Sequence, residues 1–270
     1  MKRWSLLGRA FLFVVCSAVV LAVTSSAMRN LSQTWSPLVI GIVASAATFA
    51  LTVIFVRWEG LRLADVGAAP GRGSIARFGV GFLLGLILVA SHSAVLSVTG
   101  HVHWVRGPRV SAGVTIIALF GYVALACREE LSFRGYPLRR LWKPFGLWGA
   151  QVIVAILFAI EHVLGGVPWV QALIGAAVGS LLFGMAAIAT RGLAVPIGLH
   201  AAWNYGQWVL GEKESAGIWK QGVEDGLQGR ADVAGHIGYL TVVGIATLAF
   251  WWWNSRSTAR ESERSSPVSL

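Results

Sequence analysis

The chain has 270 residues, of which 56% are hydrophobic and only 13% charged, and its mean hydropathy is +0.67. A soluble globular domain carries about a quarter charged residues, so these figures exclude one. They equally exclude a disordered chain, a collagen and a disulfide-framed secreted domain. The net charge of +10 comes from 22 Lys and Arg against 12 Asp and Glu. The bases lie almost entirely between apolar runs, which is how membrane proteins carry charge, so no nucleic-acid partner is expected. Cys16 and Cys127 sit inside or at the end of apolar runs and define no disulfide framework or zinc cluster.

A hydrocarbon core ~30 Å thick needs about 20 apolar residues in helix. Taken in chain order, such runs lie near Leu6–Ala27, Pro37–Val56, Phe78–Val98, Val114–Cys127, Leu147–Val163, Pro168–Ala189, Leu193–Leu210 and Gly235–Trp253. The expected fold class is therefore all-α, a polytopic membrane bundle of about eight transmembrane helices. Sustained period-2 alternation is missing, which argues against a barrel. The first run, with Lys2 and Arg3 before it and Ser25-Ser26-Ala27 after it, imitates a cleavable signal peptide. Its apolar stretch is long for that, and a retained helix is the favoured reading.

With the N-terminus in the cytoplasm, the inside segments hold 16 basic residues and the outside segments 6. That split places both termini in the cytoplasm. Most of the 13 tryptophans fall near span ends, as in an aromatic belt. Short loops and the lack of organellar targeting features point to a bacterial plasma membrane.

The chain divides into N-terminal helices with a cytoplasmic loop (1–110), a core (111–210), an outer loop with the last span (211–253) and a polar tail (254–270). The tail is rich in Ser, Arg and Glu and reads as disordered. Gly81-x-x-x-Gly85 and Gly175-x-x-x-Gly179 suggest close helix approach.

An ionisable group inside a span costs a few kcal/mol, about +2.5–3.5 on insertion scales, and needs a partner or a purpose. Three patterns gather such groups. Glu129 and Glu130 precede Arg134 at the end of the fourth run; Phe158 precedes His162 in the fifth; His200 precedes Asn204 in the seventh. Glu130 and Arg134 are i,i+4 and can pair, whereas Glu129 points about 100° away. His200 and Asn204 are also i,i+4 and project together. A carboxylate, two imidazoles and an amide converging in a bundle make a hydrolytic site, the carboxylate taking a proton from water and the N–H donors meeting an oxyanion. Convergence requires the fourth helix to continue through Arg134 to about Arg140, with Arg139, Arg140 and Lys143 at the cytoplasmic surface. His92 has no motif partner and reads as structural; Cys127 reads as packing rather than a nucleophile.

Glu-Glu-x-x-x-Arg, Phe-x-x-x-His and His-x-x-x-Asn, in that order over about Val114–Leu210, resemble the CPBP family of CAAX prenyl endopeptidases and bacteriocin-processing or immunity proteins. The resemblance implies intramembrane endopeptidase activity on membrane-anchored peptide or protein substrates, prenylated or bacteriocin-type, within the lipid bilayer. It implies Glu129 as the water-activating carboxylate, with Glu130 and Arg134 supporting the first helix. His162 would complete water activation, and His200 with Asn204 would form the oxyanion side. Glu129, His162 and His200 would be the ligands if a metal is used; two His and one Glu suit zinc, but the spacing is unlike His-Glu-x-x-His and leaves the metal open. Cleavage is expected near the cytoplasmic side. Two rival readings are a non-catalytic immunity or scaffold protein, and a proton-coupled transporter, the latter disfavoured because no inverted repeat is evident.

Overall fold

The computed structural model describes residues 3–99, 101–213 and 217–265. The path begins with α1 (Arg3–Ala27), α2 (Ser36–Trp58) and α3 (Ser74–Thr99), a 3₁₀ turn at Leu63–Val66 preceding α3. Strand β1 (Val102–Arg106) leads to α4 (Ala112–Glu130), which passes through a π turn at Leu131–Gly135 into α5 (Tyr136–Leu164). A single turn, α6 (Trp169–Gln171), runs through a second π segment at Ala172–Ala177 into α7 (Val178–Ala189). Then come α8 (Ala194–Val209), β2 (Trp219–Val223) and α9 (Gln228–Ser265). The architecture is an all-α polytopic bundle.

Local chemistry sets these boundaries. Pro37 sits in the first turn of α2, where its missing N–H costs nothing. Ser111 caps α4 by accepting from the Val114 N–H at 3.3 Å. Within α5, Gly146 takes φ 73° and ψ 174°, a conformation reserved for glycine. It breaks the helix two residues after Pro144 and re-aims Leu147–Leu164 across the bundle.

Seven of the eight apolar runs of the sequence fall within six long apolar helices. The fourth and fifth runs fall within one helical stretch, Ala112–Leu164, bent at Gly146. The seventh is α8, whose 16 residues fall short of the ~20 that cross a bilayer. The count of eight is therefore approximate. The helical path does continue from Glu130 through Arg134 to Phe145, as convergence requires.

Two features escaped the sequence. β1 and β2 pair antiparallel, Val102 opposite Val223 and Arg106 opposite Trp219; five-residue strands in loops carry too little pattern to stand out. In addition, α9 runs on to Ser265, through most of the stretch expected to be disordered. Neither Gly nor Pro lies between Gly244 and Pro267, so nothing local ends the helix there. Residues 266–270 of that tail lie outside the described residues.

Helices α3 and α8 approach backbone to backbone. A Cβ on Gly81 would lie 2.1 Å from the Val195 carbonyl oxygen, on Gly85 2.4 Å from that of Leu199, and on Gly198 2.2 Å from that of Phe78. Only bare backbones fit there, so Gly81-x-x-x-Gly85 is a true helix-contact motif. Gly175 has open space instead, and Gly179 faces the Tyr239 hydroxyl.

The helix directions give the bundle two distinct ends. One carries the start of α1, the 59–73 loop, the 190–193 turn and the end of α9. Glu59 ties it together: its Oε1 accepts from Arg9 Nη1 at 3.0 Å and from the Tyr136 hydroxyl at 2.8 Å, and its Oε2 faces Arg140 Nε at 2.5 Å. The opposite end carries the 28–35 turn, the β1–β2 sheet, the 165–168 turn and the start of α9.

Candidate active site

The end of α4 supplies two adjacent carboxylates, and α8 places His200 between them. His200 Nδ1 lies 2.9 Å from Glu130 Oε1, and His200 Nε2 lies 3.5 Å from Glu129 Oε2. Glu130 is fully buried and also faces Arg134, Nη1 to Oε1 at 3.3 Å. Glu129 is more open, its side chain 20% exposed. The sequence pattern read Glu130 as a support for its own helix; the structure gives it a second task, holding the imidazole of another helix.

The hydrogen-bond roles follow from the partners. A carboxylate only accepts, so His200 Nδ1 donates to Glu130. His162 Nδ1 lies 2.9 Å from the Phe158 carbonyl oxygen, again an acceptor, so that nitrogen donates too. In both rings the Nδ1–H is committed, which leaves Nε2 for chemistry. The Nε2–Glu129 separation of 3.5 Å exceeds the usual 2.7–3.2 Å of an N–H···O bond, so Nε2 is not consumed by that contact. Glu129 lies within electrostatic reach of both His162 and His200, and of Arg128 and Arg134.

Aromatic rings hold the set. Phe183 stacks on His200 with centroids 4.2 Å apart and planes 14° from parallel. Phe158 packs against His162 at 4.4 Å and carries the Arg134 guanidinium 4.3 Å above its face, with Phe183 5.4 Å and Phe133 5.8 Å from the same cation. A fully buried guanidinium thus gains three ring faces as well as Glu130, and such contacts strengthen where water is excluded. The Phe of Phe-x-x-x-His is the ring that joins the second motif to the first.

Arg128 and Glu161 were not recognised as partners from the sequence. Arg128 donates to both Glu161 oxygens, with Nη2 to Oε2 at 2.8 Å, and to the Ser17 carbonyl oxygen at 3.1 Å. This pair ties the end of α4 to the end of α5. Buried opposite charges 33 positions apart carry no local signature, although a charged residue beside each motif was the available hint.

Asn204 projects from α8 one turn beyond His200, and its Oδ1 accepts from Lys213 Nζ at 3.2 Å. A cavity of about 760 Å³ reaches these groups, with Phe158, His162, His200, Asn204 and Lys213 in its wall. Val167, Gln171, Glu212 and His236 also line it, and all four belong to the end that carries the β1–β2 sheet. The chain's first and last described helices begin and finish at the other end. Cytoplasmic termini and cleavage near the cytoplasmic side, both expected from the sequence, are therefore incompatible for a substrate using this cavity. His92 also borders the cavity; its Nε2 contacts the Gly235 carbonyl oxygen at 3.1 Å, as a structural histidine would.

Glu129 meets His200, but among the described residues no three His, Cys, Asp or Glu side chains gather closely enough to hold one ion.

Residues 111–206 match the family model of the Rce1-like type II CAAX prenyl endopeptidases. Over that segment the chain is similar to the CAAX-protease, or CPBP, family. No curated protein matches the chain. The matched segment begins at Ser111, the cap of α4, and ends beyond Asn204, so it contains all three motifs. The match supports a CAAX-type intramembrane endopeptidase in general terms, and the six long apolar helices support an integral membrane protein.

Proposed function

We propose that this protein is an intramembrane endopeptidase in which Glu129 and His162 activate water, while His200 and Asn204 receive the oxyanion. The observation that carries the reading is the seat of His200 between Glu129 and Glu130. Glu129 takes the proton from water as the oxygen attacks the scissile carbonyl carbon, and His162 Nε2 orients that water. The carbonyl oxygen becomes an oxyanion, met by the Asn204 N–H and by the Nε2–H of a His200 imidazolium, whose Nδ1–H stays on Glu130. When the C–N bond breaks, the proton held by Glu129 passes to the leaving amine, which restores the carboxylate. General acid–base help of this kind contributes roughly 10²–10⁴-fold, and one oxyanion donor about 10²–10³-fold.

The substrate is a membrane-anchored peptide, prenylated or bacteriocin-type, drawn from the surrounding bilayer. It reaches the site through the cavity at the end bearing the β1–β2 sheet. The direct test uses the purified full chain in lipid nanodiscs with an internally quenched peptide bearing a farnesylated cysteine near its C-terminus. Cleavage by the wild type and its loss in Glu129→Gln, with the fold retained, is the expected result. A Glu129→Gln protein that cleaves at the wild-type rate overturns the proposal and favours a non-catalytic role for the cluster.

A further inference from the structure

Beyond the three motifs, the cavity wall contains a cation that the matched segment does not reach: Lys213, in the loop after α8. The chain places it there by a specific turn. Gly211, at φ 74°, ends α8 in the left-handed conformation; its N–H donates to the Trp208 carbonyl oxygen, and the Glu212 N–H donates to that of Gln207 at 2.9 Å. This six-to-one closure folds the chain back over the helix end. The turn is also tightly seated: a Cβ on Gly211 would lie 2.3 Å from the Trp219 carbonyl oxygen of β2. Lys213 is thereby returned alongside Asn204, its Nζ 3.2 Å from Asn204 Oδ1.

An ammonium only donates, so this contact decides which way the carboxamide faces. The oxygen of Asn204 must turn to Lys213, and its two N–H bonds are left for other partners. We infer that Lys213 is a positioning residue, holding the Asn204 carboxamide with its N–H side toward the reacting carbonyl. The inference rests on the endopeptidase reading above and names what orients its oxyanion donor. Without Lys213 the amide can rotate, and a rotated amide presents its oxygen to a developing negative charge.

The surroundings suit this task. Glu212 from its own turn and Glu129 from α4 draw the charge of Lys213, while burial pushes its ammonium below the usual lysine range. His162 from α5, His200 from α8 and His236 from α9 line the same cavity.

The test measures kcat and KM of Lys213→Ala, Lys213→Arg, Asn204→Ala and the Lys213→Ala/Asn204→Ala double variant on the farnesylated peptide. Lys213→Ala should lower kcat at least about tenfold, a fraction of what one oxyanion donor contributes, with KM little changed. Lys213→Arg should restore part of the loss, and the double variant should be no slower than Asn204→Ala alone. A Lys213→Ala kcat within twofold of wild type, or losses that simply multiply in the double variant, overturns the inference while leaving the Glu129 test untouched. If the wild type cleaves nothing, the endopeptidase reading fails, and amine labelling of Lys213 against pH judges the contact itself. Asn204→Leu should shift that profile relative to Lys220; an unmoved profile overturns the contact as well.

Discussion

Glu130 Oε1 lies 2.9 Å from His200 Nδ1, joining the end of α4 to the middle of α8 across 70 positions of sequence. That bond, with Arg134 on the same oxygen, decides which imidazole nitrogen faces Glu129. Replacing Glu130 by Gln keeps the shape but removes the charge and lets the amide present either end to the ring. The expected outcome is a fall in kcat of about 10²-fold or more, as when an orienting partner of a histidine is altered, with the protein still folded. Parallel kinetics and circular dichroism check both halves of the statement.

Removing the side chain altogether should be felt in stability as well. Glu130→Ala would leave the fully buried Arg134 with ring faces but no carboxylate. Breaking one partner out of a buried pair costs about 3–5 kcal/mol, and thermal unfolding in a fixed detergent should show a marked drop for Glu130→Ala and a smaller one for Glu130→Gln.

The site was legible where its chemistry is local and obscure where it is not. Glu129, Glu130, Arg134, His162, His200 and Asn204 announce themselves as polar groups in or beside apolar runs, Glu130 with Arg134 and His200 with Asn204 at i,i+4 spacing. The structure brings Glu129, Glu130, Arg134 and His200 together and puts His162 and Asn204 on one cavity. The long apolar helices were equally plain, because length and hydropathy alone define them. What the sequence hid was every partnership across elements. Arg128 with Glu161, Phe183 against His200 and Lys213 on Asn204 depend on helix rotation and on a turn at Gly211, none of which has a repeating pattern. The bend at Gly146 was hidden for the same reason: 32 glycines make any single one uninformative until its φ is seen.

The Arg128–Glu161 pair offers a test of how α4 and α5 are held in register. Its side chains are 0% and 12% exposed, so screening by water is small. Glu161→Leu alone would strand the buried Arg128 and should cost about 3–5 kcal/mol, whereas Arg128→Met with Glu161→Leu should recover much of that, since well-packed apolar pairs often replace buried ion pairs at little cost. Unfolding of the two single variants, the double variant and the wild type completes the cycle. Strict additivity would mean that the two side chains do not support one another.

The α3–α8 seam makes a sharper claim about packing. Gly198→Ala would drive a Cβ to 2.2 Å from the Phe78 carbonyl oxygen and 2.8 Å from the Phe82 nitrogen, and backbone cannot step aside as a side chain can. Overpacking of this kind costs typically 1–3 kcal/mol, about the upper end here, and the displaced α8 carries His200 and Asn204 with it. The expected result is lower thermal stability together with lower activity. By contrast, Gly175→Ala meets open space and should leave both within error, even though the sequence places Gly175 in an equivalent small-residue motif.

Orientation in the membrane decides which substrates can reach the cavity, and it can be read directly. Basic residues favour a cytoplasmic location for the end that carries Arg57, Arg62, Arg72 and Arg77, which would turn the cavity mouth to the other side. In a background with Cys16→Ser and Cys127→Ser, single cysteines are placed at Gln33, in the exposed turn at the cavity end, and at Arg72, in the exposed basic loop. A membrane-impermeant maleimide on intact cells should label Gln33→Cys at once and Arg72→Cys only after permeabilisation. The substrate would then be a peptide anchored in the extracytoplasmic leaflet. The reverse labelling pattern would overturn cytoplasmic termini, turn the cavity toward the cytoplasm, and restore the cytoplasmic cleavage expected from the family's prenylated substrates. Because the cavity and the basic loop lie at opposite ends of one bundle, no pattern lets both sequence expectations survive for a substrate that enters through this cavity.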